Sequence, residues 1–87
     1  MTYYIFQPGP RDRYAEHRFE TTDVLDAVSR AHALSLSFET TVCLNRRYAE
    51  IEDGETIWYS EKLISFNGGV PTFTGLHVFR HGARDDA

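Results

Sequence analysis

An α+β domain of two layers, one amphipathic helix on an antiparallel sheet of four to five strands in the order ββαβββ, is the fold class this sequence predicts. Three observations carry it. One segment, between Thr21 and Ser37, has helical spacing of apolar residues, and runs rich in β-branched and aromatic residues flank it on both sides. A Gly-centred acidic turn, Glu50-Ile51-Glu52-Asp53-Gly54-Glu55, joins the two longest of those runs as a hairpin. With 87 residues, 41% of them hydrophobic and 14% aromatic, the chain has the material for one modest core and no second domain. We take 1–82 as the domain and 83–87 as a polar, frayed tail.

The first strand is predicted from Thr2 to Gln7, stopped by Pro8-Gly9-Pro10, because neither proline donates to a ladder. Tyr14 to Glu20 alternates, with Ala15, His17 and Phe19 on one face, and reads as a second strand pairing with the first. Thr21-Thr22-Asp23 offers cap oxygens, and Asp26 three residues after Asp23 makes an approximate capping box. Val24, Ala27, Val28, Ala31 and Leu34 form the face expected toward the sheet, and Asp26, Ser29, Arg30 and Ala33 the opposite one. The helix is expected to end near Ser35-Leu36-Ser37. Thr40 to Tyr48 and Thr56 to Phe66 form the central hairpin, Asn67 to Thr72 a loop because two Gly and a Pro oppose regular structure, and Leu76 to Arg80 the last strand.

Charge narrows the function classes. Thirteen acids against nine bases give a formal net charge of −4, which argues against a general nucleic-acid binder and makes nucleic acid a competitor in preference to a ligand. All the bases but Lys62 are Arg, with Arg11, Arg13 and Arg18 before the helix and Arg46 and Arg47 adjacent; Arg46-Arg47 is read as pairing across strands with Glu61 or Glu55. The single Cys43 excludes an intramolecular disulfide and a Cys-based zinc site. Met1 to Phe6 is too short for a signal peptide and no apolar run has the length of a membrane span, so the cytoplasm is the default location.

Chemistry finds little support. His77 and His81 have the i, i+4 spacing that binds zinc on a helix, but in a strand four residues span about 13 Å, too far for one ion. There is no nucleophile elbow and no Gly-rich loop leading into a helix, so no catalytic residue, metal or cofactor is assigned. One enzymatic alternative stays open: metal-free RNA cleavage by Glu61, His77, Arg80 and His81, if they converge on the sheet. His32 and His17 each read either as a binding residue or as a partly buried core histidine.

The acidic turn likewise has two readings. Its concentrated carboxylates can mimic nucleic-acid phosphates for a protein partner, or keep the hairpin tip solvated and the sheet from aggregating. The uncovered sheet face, holding some of Tyr3, Tyr14, Tyr48, Trp58 and Tyr59, is either an aromatic contact patch or a set of rings packed on one another.

Short similarities in a consistent order run along the chain: Thr2-Tyr3-Tyr4-Ile5 with Pro8 after it, Arg18-Phe19 leading into the Thr/Asp-rich helix start, Asp26-Ala27 to Ala33, Phe38-Glu39 with Val42, and His77-Val78 in the closing strand. In these the chain resembles the small phage-encoded anti-CRISPR proteins that act on type I systems, particularly the type I-E and I-C inhibitors. The resemblance implies a non-enzymatic phage protein that binds a type I CRISPR surveillance complex, or one of its Cas subunits, and blocks DNA binding or nuclease recruitment in the host cytoplasm. No functional residue is carried over from the family. On the physics of the residues, Glu50, Glu52, Asp53 and Glu55 are the candidate partner-binding carboxylates, with Tyr48, Trp58 and Tyr59 as apolar anchors. An antitoxin or accessory interaction protein shows the same surface features, and a homodimer is left open.

Overall fold

The computed structural model describes residues 2–10, 12–73 and 77–85. It is an α+β fold in which one helix packs on an antiparallel sheet of six strands. The strands are β1 (Thr2–Pro8), β2 (Phe19–Thr21), β3 (Thr41–Glu52), β4 (Glu55–Asn67), β5 (Val70–Thr72) and β6 (His77–Gly82), and α1 spans Val24–Ser37. They order as β2-β1-β3-β4-β5, and β6 shares the outer edge of β4 with β5.

Helix α1 starts where its cap chemistry dictates. Asp23 Oδ1 accepts from the backbone N–H of Leu25 at 2.9 Å and of Asp26 at 3.3 Å, satisfying two donors that have no partner inside the helix. At the other end Glu39 N–H reaches Leu36 O and Thr40 N–H reaches Ser35 O, both at 3.3 Å, a Schellman closure that puts Glu39 at φ 50. The face toward the sheet is the expected one except at its two ends, where Val24 turns outward and Ser35 joins it. Ala27, Ala31 and Ser35 are buried, Val28 and Leu34 pack beside the core, and Val24 is 41% exposed. Side chains on a helix lean toward its N-terminus, so a residue in the first position leans past the layer it would cover. The i, i+4 stripe of small residues brings α1 close to Phe6, Val42, Leu44 and Phe66, which with the two alanines make the buried core.

Three further expectations are corrected. The alternating segment Tyr14–Glu20 is not a strand: Ala15–His17 form a 3-10 turn, and only Phe19–Thr21 pair with β1. The rings of Tyr14 and His17 lie 5.4 and 4.8 Å from that of Phe38, so this turn wraps the helix C-terminus instead of extending along the sheet. Residues 67–72 are not all loop. Gly68 and Gly69, at φ +56 and +86, make the two-residue turn into β5, and Pro71 is tolerated because β5 is an edge. Finally, Asp85 in the tail is tied to the sheet: its Oδ1 accepts from Tyr3 Oη at 2.7 Å and from Arg47 Nε at 2.8 Å. Leu76, expected in the last strand, lies outside the described residues.

The hairpin of β3 and β4 outruns the helix. Fourteen helical residues cover roughly 21 Å, whereas twelve strand residues extend roughly 40 Å. The molecule is accordingly elongated, 43 × 24 × 21 Å.

Candidate functional site: the hairpin tip and the uncovered sheet face

The tip is a two-residue turn. Glu52 pairs with Glu55, and Asp53 and Gly54, at φ 50 and 79, supply the left-handed pair whose twist matches that of the strands. Glu50, Asp53 and Glu55 are exposed. Glu52 is not a free charge, because it accepts a hydrogen bond from the hydroxyl of Tyr59. That bond, together with burial, pushes the Tyr59 phenol above its ordinary value.

Strand register divides the predicted anchors between two faces. Tyr48 pairs with Tyr59 and their rings stack at 5.5 Å on the helix side of the sheet, the face that Glu50, Glu52 and Glu55 also share. Arg46 sits over the Tyr48 ring at 4.6 Å and holds Glu61 at 2.5 Å, the cross-strand pair expected from the sequence. Trp58 lies on the opposite face, where its ring meets Tyr3 edge-on at 6.2 Å. The tip and its anchors therefore form one site only through Tyr48 and Tyr59. All three anchor rings are half-buried, packed on neighbours and not presented as a bare aromatic patch.

Register also separates the residues of the RNA-cleavage alternative. Arg80 pairs with Tyr59 and Glu61 with Val78, on the helix side, whereas His77 pairs with Lys62 on the uncovered face. His81 is on the uncovered face too, with Nε2 at 2.7 Å from Ser60 Oγ. The four do not converge. Among the described residues no group of three or more His, Cys, Asp or Glu side chains is placed to hold a metal ion. His32 is exposed, its ring edge-on to Phe66 at 5.5 Å, and His17 packs on Phe38.

A second feature was not legible as a site. On the uncovered face a groove of about 470 Å³ runs between the β1 end, β3 and β6, lined among others by Ile5, Cys43, Asn45, Arg47, Ser60 and Phe79. Arg47 is 1% exposed, against the expectation of a cross-strand pair with Glu55 or Glu61. Its Nε donates to Asp85, and its Nη2 is buried without a hydrogen-bond partner among the described residues. The Tyr3 phenol that shares the Asp85 oxygen is pushed up to about 12, first by burial and then by the carboxylate it bonds. No signal in the sequence sets Arg47 apart from Arg46, its neighbour on the other face of the strand. Cys43 is half-buried on this same face, 3.6 Å from Ser65 Oγ.

No helix among the described residues is long and apolar enough to cross a membrane. Compared with family models, curated proteins and solved structures, the chain matches none.

Proposed function

We propose that this chain is a stoichiometric inhibitor of a type I CRISPR surveillance complex, acting in the cytoplasm of the host cell and blocking DNA binding or nuclease recruitment without chemistry of its own. The observation that carries the reading is the tip itself: Glu50, Asp53 and Glu55 stand exposed at the end of an arm that the helix does not cover. A row of carboxylates on a stiff, twisted hairpin suits a basic groove evolved for phosphates, and the Tyr48–Tyr59 stack beneath it limits the arm's bending. The formal net charge of −4 favours approach to such a groove over its whole length. The split of Glu61 and Arg80 from His77 and His81 weighs against the ribonuclease alternative.

The test is a tagged pull-down from cells expressing type I complexes, followed by a gel shift with target DNA. Co-purification is expected for the wild-type chain. The variant Glu50→Lys, Asp53→Asn, Glu55→Lys should lose at least about tenfold in capture, or about 1.4 kcal/mol. Those substitutions leave the Glu52–Tyr59 bond in place. Unchanged capture and inhibition by the variant removes the tip from the mechanism.

A further inference from the structure

We propose that the groove on the uncovered face binds a small organic anion, a carboxylate or phosphate monoester on an apolar body, and that Asp85 occupies its anion position in the free protein. This is independent of the inhibitor reading, since the groove and the acidic tip lie at different places on the sheet.

Arg47 lines the groove. It is 1% exposed, and a buried cation demands hydrogen-bonded compensation on all its donors. Nε and Nη2 lie on the same edge of the planar group and together match the two oxygens of a carboxylate or phosphate. Asp85 meets only half of that demand. A single oxygen, Oδ1, accepts from Arg47 Nε at 2.8 Å and from Tyr3 Oη at 2.7 Å, leaving Nη2 without a partner among the described residues. An anion set edge-on to the guanidinium fills both donors, which Asp85 in this pose does not.

Beside the guanidinium the groove has the volume and the mixed lining of a small-molecule site. Ile5 and the 57%-exposed ring of Phe79 supply apolar walls, and Asn45 and Ser60 supply polar ones. The apolar body of the ligand lies along Phe79 while its anionic end faces Arg47. Asp85 is suited to act as a displaceable occupant, because it sits in an exposed tail segment and its side chain is 36% exposed. An internal occupant weakens apparent affinity by the fraction of time it holds the site, so removing its charge strengthens binding of the external anion.

The single Trp58 reports on the exchange, since its ring packs on Tyr3, which bonds Asp85. The experiment titrates wild type and Asp85→Asn with phenyl phosphate, benzoate and inorganic phosphate, following Trp58 fluorescence and the backbone amide shifts of Arg47 and Ser60. Asp85→Asn should bind phenyl phosphate or benzoate at least about tenfold more tightly than wild type. The preferred probe of the two separates a phosphate from a carboxylate ligand. Phe79→Ala should weaken the aromatic probe several-fold and leave inorganic phosphate unchanged. Equal affinity in wild type and Asp85→Asn, or shifts confined to residues outside the groove, overturns the proposal. If Asp85→Asn fails to fold by circular dichroism, the wild-type titration decides: saturable binding at Arg47 and Ser60 sustains it, and no saturation overturns it.

Discussion

Gly69 shows how one residue sets a contact between layers. Its N–H donates to Ser35 Oγ at 2.9 Å, and that hydroxyl in turn donates to His32 O at 2.8 Å, so the buried serine links α1 to the β4–β5 turn. A Cβ at Gly69 would stand 2.6 Å from Leu36 Cδ2, at a backbone φ of +86. Leu36 is half-exposed and its side chain can turn aside, so Gly69→Ala should cost about 1–3 kcal/mol, measured by urea denaturation, chiefly through left-handed strain. Tyr3 gives a second residue-scale prediction. Its folded pKa of about 12 lies above the ordinary phenol value of 10.0, so the folded state retains a proton that the unfolded chain releases first. The stabilisation is complete below pH 10 and is lost as pH rises from 10 to 12. Melting temperature should fall across that window more steeply for wild type than for Tyr3→Phe; parallel curves would show that the phenol does not drive the loss.

At the scale of elements, the ends of α1 were readable to different degrees. The Asp23 cap follows from side-chain chemistry local in sequence and forms as expected, but the reciprocal half of the capping box does not: Asp23 N–H donates to Thr21 Oγ1 at 3.2 Å, and Asp26 pairs with Arg30 instead. The closing turn carries Glu39 at φ 50, a left-handed position that favours glycine. Glu39→Gly should stabilise the protein by about 1 kcal/mol, the relief of a Cβ clash partly offset by greater freedom of the unfolded chain. A fall in urea midpoint would mean that the Glu39 side chain contributes a contact that outweighs its strain. The segment from Tyr14 to Glu20 misled because period-two alternation over seven residues also fits a 3-10 turn followed by a short strand. What decided between them was the apolar surface of Phe38, more than twenty residues away. For 67–72 the two glycines look like breakers in sequence, while paired left-handed residues are what a tight hairpin turn requires.

Over the whole molecule, the unequal lengths of hairpin and helix produce an asymmetric body with a covered end and a bare acidic arm. The inhibitor reading carries a prediction at this scale. If exposed charges at the tip steer association, capture rates should fall several-fold between about 50 and 200 mM salt while dissociation changes less. Salt-independent association would shift the contact to the apolar parts of the surface.

By itself the sequence determined the α+β class, the single helix with its cap, the central hairpin and the acidic turn, because each rests on residues within a few positions of one another: spacing, cap oxygens, an Asp-Gly turn. It also read Arg46-Arg47 as pairing across the hairpin with Glu61 or Glu55, which holds for Arg46 with Glu61 and fails for Arg47. Only the tertiary structure decided which face each ring and each histidine takes, for one bulge at Leu44/Asn45 and another at Trp58/Tyr59 change the alternation that a strand pattern assumes. It alone brought Asp85 to Arg47 and Tyr3, residues 38 and 82 positions away. Burial of a guanidinium is a property of what the rest of the chain folds over it, and no local pattern in Asn45-Arg46-Arg47-Tyr48 distinguishes the arginine that stays partly exposed from the one that does not.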